Sequence, residues 1–339
     1  MITTEQPTTA FSYLSPPRPV APTSIAGRFR IAGASPDGDS VRFVPDDPAA
    51  WSRAGIRARV NASGGAQLRL DAIDALETHF SPPGGRGTWH QPADLAVAAT
   101  AALLHSLGFT SWQRSADTGT IGDPQPTDVP GWVVTAGADI NGRPIAFVLA
   151  GDRASAGPAW SAGGSAGGAD GPVTLTPAML GDTVNTAQLA DGLAYPTFYD
   201  ELAGDLRQAL AATAVAARAA RVGVWARDVT TVGFEVTGRR QLETDIVVLP
   251  KLFRRLAEYL SLNGAGDGGA SVSLARFGEF LAVSADAVRV MGDGAVGDGT
   301  LTTLADLVEV DGQRVRLIES PERLVFVEKV TRLRVQPGA

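Results

Sequence analysis

Residues 66–77 read AQLRLDAIDALE, a stretch in which a strand pattern runs into a cluster of charged residues. The first eight residues alternate apolar and polar side chains, with two leucines on one face, which is typical of a β-strand with one buried side. Arg69 lies within this strand, Asp74 follows directly after it, and Glu77 comes three residues later. The pattern therefore predicts a strand that carries an arginine and two carboxylates toward its end.

The neighbouring sequence predicts a small barrel with helices. Residues 27–33 and 40–44 also alternate, and the turn between them indicates a hairpin. The segments 132–136 and 144–149 have the same character, and helices are predicted at 92–107, 180–193 and 202–221. Five short strands with an intervening helix are compatible with an OB-type barrel, so the predicted class is α+β.

Further motifs occur elsewhere in the same part of the chain. They are DGDSV at 37–41, in a turn that enters a strand, NGR at 141–143, which enters another strand, and GLAY at 192–195, which precedes a helix ending in GVW at 223–225. Together with residues 69–77, and in this order, they resemble the staphylococcal-nuclease-like (thermonuclease) family. The resemblance covers roughly residues 27–228, and residues 199–225 look most like the family's C-terminal helix.

This resemblance implies a five-stranded OB-type barrel with three helices and an activity that depends on Ca²⁺. The expected reaction is hydrolysis of phosphodiester bonds in DNA, RNA or both, with little sequence specificity and with 3′-phosphate products. Carried over by position, Asp39 and Asp74 become the metal carboxylates, and Ala75 becomes a ligand through its backbone carbonyl. Oxygen ligands of this kind suit a hard cation, and such a cation polarises a phosphoryl oxygen.

The resemblance also assigns the residues that act on the substrate. Glu77 becomes the general base on the attacking water, and a carboxylate within hydrogen-bond reach of a water can take its proton. Arg69 and Arg143 become the residues that grip the phosphate, for which a planar guanidinium offers bidentate hydrogen bonds. Tyr195 or Tyr199 could stack on a base, and the sequence does not choose between them.

The chain departs from the family pattern at four positions near these residues. Ala75 and Leu76 stand where the family often has threonine and proline, and a backbone ligand survives the first change. Loss of the proline is expected to loosen the turn that aims Glu77. Ile140 and Asn141 stand where some relatives have a lysine and a tyrosine that help bind phosphate. A lower affinity for the substrate is therefore expected. A preference for the ends of nucleic acids is not expected.

The charge of the chain limits how it can act on nucleic acid. The formal net charge is −7 and the isoelectric point is about 5.1, whereas passive nucleic-acid binders are usually basic because phosphate contacts dominate their affinity. An enzyme that binds its substrate weakly and turns it over is therefore favoured. The alternative, a non-catalytic nucleic-acid-binding or scaffolding module on the same fold, stays open, although relatives of that kind usually lose the acids and arginines retained here.

The rest of the chain is divided by composition. Residues 1–26 are rich in proline, threonine and serine and predict a disordered or extended arm. Residues 154–171 predict a flexible Gly/Ala/Ser insertion in the barrel domain of residues 27–228. Residues 229–339 predict a small α+β domain of unknown role, in which the amphipathic helix at 250–262 is the one hint of self-association or of a protein partner.

Cysteines and membrane signals are both missing from the sequence. Without cysteine, disulfides and thiolate metal sites are excluded, and the three histidines lack the spacing of a zinc site. No apolar run reaches about 18 residues, and no basic segment followed by an apolar one occurs near residue 1, so neither a transmembrane helix nor a secretory signal is expected. The compartment stays unknown, and a cytoplasmic location is the favoured expectation.

Overall fold

The computed structural model describes residues 21–85, 87–152, 160, 170–264, 272–284, 286–292 and 299–327. Most of the predicted N-terminal arm and most of the predicted insertion at 154–171 lie outside the described residues. The first strand begins at Thr23, inside the segment that the sequence assigns to the arm, and it pairs with a central strand of the sheet along its whole length.

The elements before residue 228 are mostly short strands, with helices between groups of them. The strands are β1 (Thr23–Phe29), β2 (Ser40–Pro45), β3 (Ala66–Leu70), β4 (Ile73–Ala75), β5 (Ser111–Arg114), β6 (Ile121–Gln125), β7 (Val129–Ala138), β8 (Pro144–Ala150), β9 (Gly171–Pro172), β10 (Ala194–Pro196) and β11 (Phe198–Tyr199). The helices are α1 (Ala50–Arg53), α2 (Ala93–Leu107), α3 (Pro177–Leu180), α4 (Val184–Ala190) and α5 (Gly204–Ala219), followed by a 3₁₀ turn at Gly223–Ala226.

The elements after residue 228 are mixed helices and short strands. The helices are α6 (Arg239–Thr244), α7 (Pro250–Leu262), α8 (Phe277–Ser284) and α9 (Leu304–Leu307), with a 3₁₀ turn at Pro321–Arg323. The strands are β12 (Phe234–Glu235), β13 (Ala287–Val290), β14 (Leu301–Thr303), β15 (Val308–Asp311), β16 (Arg314–Leu317) and β17 (Leu324–Phe326).

Five strands form a closed barrel. β1 pairs antiparallel with β2 and with β7, β2 pairs with β3, and β7 pairs with β8. The parallel pairing of β3 with β8 completes the circle. This strand order is compatible with an OB-type fold, and the mixed α+β class with a five-stranded barrel is confirmed at that level.

The predicted strand at 66–73 is interrupted at the point where it carries the charged residues. β3 ends at Leu70 and β4 begins at Ile73, and Ala72 between them has a φ of +66°. This left-handed conformation is uncommon for a residue with a Cβ atom. It ends the pairing with β8, and β4 pairs with β10 instead. The kink therefore places Arg69 on β3 and Asp74 on β4, and Glu77 follows after the end of β4.

The three helices predicted in the barrel segment are present with shorter bounds. α2 corresponds to the prediction at 92–107, α4 to the prediction at 180–193, and α5 to the prediction at 202–221. α2 ends at Gly108, whose φ of +107° gives the left-handed cap that favours glycine. The β5–β6 hairpin that follows α2 is not predicted by the sequence pattern.

Residues after 228 complete a core that the barrel segment begins. One buried cluster contains Leu76, Trp89, Tyr195 and Trp225 from the barrel segment together with apolar residues of α6, α7, α8 and α9. β11 also pairs in parallel with β17. The predicted amphipathic helix at 250–262 is α7, and its apolar face lies inside this shared cluster. Among the helices of the described residues, none is long and apolar enough to cross a membrane.

Candidate functional site

Strand pairing brings Asp39, Arg69 and Asp74 together. The turn that carries Asp39 leads into β2, and the amide of Leu70 donates to the carbonyl of Asp39 at 2.7 Å. In the same ladder, Ser40 is the partner of Arg69. Asp74 lies on β4 beyond the kink, and Nη2 of Arg69 is 3.7 Å from its Oδ1. The residues of two separate motifs therefore meet where β2, β3 and β4 come together.

A buried asparagine of α4 holds the kink between β3 and β4. Nδ2 of Asn185 donates to the carbonyls of Asp71 at 2.9 Å and of Ala146 at 3.0 Å. Its Oδ1 accepts from the amide of Val148 at 2.9 Å. Asn185 is fully buried, where a polar group without partners would be costly, so these bonds fix the helix to the kink at Asp71 and to β8.

A buried glutamine of the same helix holds the turn that precedes β2. Nε2 of Gln188 donates to the carbonyl of Gly38 at 2.7 Å and to that of Ala99 at 3.0 Å. The helix α4 therefore positions both halves of the cluster, the turn with Asp39 and the kink before Asp74. Neither amide was expected to have this role from the sequence.

The turn that aims Glu77 is held at both of its backbone groups in spite of Leu76. The amide of Glu77 donates to Oε1 of Gln91 at 3.2 Å, and the amide of Gln91 donates to the carbonyl of Glu77 at 2.9 Å. Nε2 of Gln91 donates in turn to the carbonyl of Val248 at 2.8 Å. Hydrogen bonds thus supply the restraint that was expected to be lost with the proline.

The side chain of Arg254, which belongs to α7, lies on the carboxylates of Asp74 and Glu77. Its Nη2 is 2.5 Å from Oδ2 of Asp74, and its Nη1 is 3.1 Å from Oδ1. Nη1 also lies 2.5 Å from Oε1 of Glu77. A bidentate pair of this kind is among the strong charge-assisted hydrogen bonds. The sequence of α7 does not predict the contact, because Arg254 is 180 and 177 positions from its partners.

The local charges shift the pKa values of the carboxylates in different directions. Burial by itself would raise the pKa of Asp74, but Arg254 and Arg69 outweigh it and hold that pKa below its ordinary value. Burial raises the pKa of Glu77 against the opposing influence of Arg254. Burial and the repulsion of neighbouring carboxylates raise the pKa of Asp39 well above its usual range. Negative charge is therefore less well compensated around Asp39 than around Asp74.

Arg143 lies outside this contact, just before the neighbouring strand β8. Its Nε is 2.7 Å from Oδ2 of Asp139, and two residues later Ile145 pairs with Arg69 across the parallel ladder. Arg69, Asp139, Ile145 and Tyr199 are among the residues that line one small recess. Of the two arginines predicted to hold phosphate, Arg69 lines this recess, whereas Arg143 pairs with Asp139 at its edge and does not line it.

The two tyrosines considered for base stacking differ in their surroundings. Tyr195 is fully buried, packs edge-on against Trp225 with 4.9 Å between ring centroids, and donates its hydroxyl to Asp228 at 2.7 Å. Its ring is therefore closed to a base in this structure, and its role here is in the core. Tyr199 is partly buried and lines the recess beside Arg69, so it is the better placed of the two.

The donor types at the predicted metal site suit a hard cation, but their arrangement does not. Asp39 and Asp74 lie close enough to repel each other, and Ala75 is a buried residue of β4. Within the part of the chain that the structure describes, however, no group of three or more acidic or histidine side chains is placed to hold a metal ion. The residues as placed therefore do not fit a Ca²⁺ ion, and Arg254 in addition contacts Asp74 and Glu77.

Comparison of the chain with known protein families and with curated proteins finds no match. The structure itself supports the coarser statement that the chain contains a closed five-stranded barrel compatible with an OB-type fold.

Proposed function

We propose that this chain is a staphylococcal-nuclease-like enzyme that hydrolyses phosphodiester bonds in DNA, RNA or both with little sequence specificity. One observation carries the proposal: Asp39, Arg69, Asp74 and Glu77, drawn from separate motifs, form one cluster on a closed barrel. Buried titratable groups with shifted pKa values concentrate at functional sites. The same barrel type serves nucleic-acid binding in other proteins.

The proposed reaction assigns Glu77 as the base. Its carboxylate takes a proton from a water molecule, and the oxygen of that water forms a bond to phosphorus. The bond from phosphorus to the 5′ oxygen of the next nucleotide breaks, that oxygen leaves as a hydroxyl after it takes a proton from solvent water, and Glu77 returns its own proton to solvent. The raised pKa of Glu77 favours this role, because a weaker acid gives a stronger conjugate base.

The phosphate is proposed to bind in the recess between β3 and β8. Nη2 of Arg69 is buried and finds no hydrogen-bond acceptor among the described residues, so it can donate to a phosphate oxygen. Arg143 has a side chain that is 36% exposed and can turn from Asp139 toward an anion. Tyr199 at the edge of the recess is placed to contact the sugar or the base.

Ca²⁺ remains the cofactor that the resemblance predicts, with Asp39, Asp74 and the carbonyl of Ala75 as its predicted ligands. The poorly compensated negative charge around Asp39 supports an additional cation in this area, because buried charge is costly unless it is paired. The contact of Arg254 with Asp74 opposes it in the present arrangement.

A non-catalytic nucleic-acid-binding module on the same barrel is the second candidate, and one observation favours it. Arg254 neutralises Asp74 and Glu77 together, so the proposed base is engaged. In such a module Arg69 would hold a phosphate that is not cleaved. The net charge of −7 weighs against tight passive binding, since it repels the phosphate backbone at long range.

The proposal is tested by incubating the full chain with single-stranded DNA, double-stranded DNA and RNA, each with Ca²⁺, with Mg²⁺ and with a chelator. Cleavage that requires Ca²⁺ and leaves 3′-phosphate ends is the expected result. An Arg254→Gln protein is included, so that a site closed by this arginine is not mistaken for an inactive one. If neither protein cleaves any substrate but the parent shifts oligonucleotides in a gel without metal, the binding module replaces the nuclease.

A further inference from the structure

The recess between β3 and β8 contains a second buried polar group besides Arg69. Thr197 lies between β10 and β11, is 1% exposed, and lines the recess together with Arg69 and Tyr199. Its Oγ1 is buried and has no hydrogen-bond partner among the residues that the structure describes. A buried hydroxyl without a partner is costly and uncommon. The hydroxyl therefore points to a partner from outside the chain.

The position of Thr197 is fixed by its backbone and not by its hydroxyl. Its amide donates to the carbonyl of Ala72, at the kink between β3 and β4, at 2.9 Å. β10 before it pairs with β4, and β11 after it pairs in parallel with β17. The local fold therefore does not need Oγ1, and a β-branched side chain without a hydroxyl would occupy the same space.

Arg69 offers a matching donor in the same recess. Its Nη2 is also buried and makes no hydrogen bond within the described part of the chain, although Oδ1 of Asp74 lies 3.7 Å away. A hydroxyl can donate one hydrogen bond, and a guanidinium can donate several. One phosphate group carries enough acceptor oxygens for both donors, and its hydrogen bonds with arginine are charge-assisted and strong.

Two carboxylates at the recess decide the conditions under which an anion can bind there. Oδ2 of Asp139 is engaged with Nε of Arg143 at 2.7 Å. Burial raises the pKa of Asp71 to about 6, so about half of this carboxyl group is neutral at pH 6. Repulsion between Asp71 and a bound phosphate is therefore weaker at pH 6 than at neutral pH.

We infer that the hydroxyl of Thr197 is a second phosphate-binding group of the recess, which donates to an oxygen of the same phosphate that Arg69 holds. The inference rests on the proposed function, since it adds a residue to the phosphate site named there. Oγ1 contributes to the affinity for phosphate and not to folding. Because the two donors come from separate parts of the chain, together they restrict the orientation of the phosphate more than either does alone.

The test is binding of dimethyl phosphate, a small phosphodiester, to the full chain at pH 6 with a chelator present, measured from its ³¹P resonance. Thr197→Val removes the hydroxyl and keeps the branched shape. The dissociation constant is expected to rise roughly tenfold, as loss of a hydrogen bond to a charged group implies. The urea midpoint is expected to stay the same or to rise, because an unpaired buried polar group is lost. A hydroxyl with a structural role would lower the midpoint and leave the dissociation constant unchanged.

Ser24→Ala is the matched control. Ser24 lies on β1 and is fully buried, and its hydroxyl is also without a partner in the described ranges, but it does not line the recess. Its dissociation constant for dimethyl phosphate is expected to equal that of the parent. Thr197→Ser keeps the hydroxyl and is expected to bind as the parent does.

Each outcome separates this inference from the proposed function. Weaker binding by Thr197→Val, without cleavage of any oligonucleotide by the parent, upholds the phosphate site and removes the nuclease. Equal affinities of the parent and Thr197→Val overturn the inference even if the parent cleaves, and they assign a water molecule as the partner of Oγ1. Absence of saturable binding by the parent also overturns it. If Thr197→Val does not fold, Thr197→Ser and Thr197→Ala are compared, because they differ in the hydroxyl alone, and equal affinities of these two overturn the inference.

Discussion

Single residues of the site differ in how much positive charge surrounds them. Asp74 has two guanidinium groups, from Arg254 and Arg69, and its pKa is lowered. Asp39 has burial and other carboxylates as its main influences, and its pKa is raised. Because a buried carboxylate is costly unless it is paired, the ionised form of Asp39 is less well stabilised than that of Asp74.

Lys251 gives the clearest dependence of stability on pH. Burial lowers its pKa from 10.5 to about 8, against the opposing influence of Asp286. Below pH 8 the lysine is charged in the folded and unfolded states, so the full penalty of at most about 3 kcal/mol applies. As the pH rises from 8 toward 10.5, the folded protein loses the proton first, the unfolded chain holds more protons, and the free energy of unfolding increases.

In the variant Lys251→Met, the free energy of unfolding is therefore expected to depend less on pH than it does in the parent. The variant keeps an apolar chain against the ring of Phe326, over which Nζ now lies 4.3 Å from the centroid, but it has no proton to lose. Urea denaturation between pH 7.5 and 9.5 measures both slopes. Equal slopes for the two proteins would show that Lys251 is not the group responsible.

The residues proposed for the chemistry could be named from the sequence, whereas those that hold them could not. Asp39, Arg69 and Glu77 lie in short motifs whose spacing survives folding. Asn185 and Gln91 have buried amides that bind strands and turns far away in sequence, and an amide in a helix or loop carries no signal of its partner. Arg254 is a charged example of the same problem, because the sequence of α7 gives no sign that this arginine contacts Asp74 and Glu77.

At the level of elements, the turn before β2 is fitted closely against β4 and α2. A Cβ atom added to Gly38 would lie 2.6 Å from Cβ of Ala75 and 2.7 Å from Cβ of Ala99. Both neighbours are short side chains attached directly to the backbone, so neither can move aside alone. The turn that carries Asp39 therefore depends on glycine at this position for its place in the cluster.

We expect Gly38→Ala to lower the free energy of unfolding by about 1–3 kcal/mol, which is the usual cost of overpacking, and to reduce cleavage because Asp39 is displaced. The control is Gly278→Ala on α8, where an added Cβ meets nothing within 4 Å. Chemical denaturation and cleavage assays on both proteins measure the effect. A Gly38→Ala protein as stable and as active as the control would contradict the tight packing of this turn.

The predicted strand at 66–73 shows why element boundaries are harder to predict than element types. Its alternation continues through Asp71 and Ala72, although the ladder with β8 ends at Leu70. Ala72 has a left-handed φ, and the carbonyl of its neighbour Asp71 accepts a hydrogen bond from Asn185 of α4, 114 positions away. The local alternation of apolar and polar residues cannot predict such a long-range contact.

At the level of the whole molecule, the C-terminal part and the barrel segment share one of the two buried clusters that the described residues form. Leu76, Trp89 and Trp225 pack with the apolar face of α7, and the carbonyl of Val248 accepts from Gln91 of the barrel segment. The apolar face of α7, which the sequence offers as a hint of self-association, is thus covered within the chain. This buried cluster contains residues from both sides of residue 228, where the sequence predicts a domain boundary.

Removal of residues 229–339 is therefore expected to expose a large apolar surface and to destabilise the remainder. Light scattering should report association beyond a monomer, and near-ultraviolet circular dichroism should report weakened packing of Trp89 and Trp225. A truncated protein that stays monomeric, with the spectrum expected for native tryptophans, would contradict the shared core. It would also reopen the C-terminal part as an independent interaction module.

The most direct test of the central claim is the rate of oligonucleotide cleavage by Glu77→Gln in the presence of Ca²⁺. Its matched control is Glu279→Gln, because Glu279 is an exposed glutamate of α8 paired with Arg276. We predict that kcat/KM falls at least about 10²-fold in Glu77→Gln, as expected for loss of a general base, and that Glu279→Gln matches the parent. Cleavage by Glu77→Gln at the rate of the parent would contradict the proposed site.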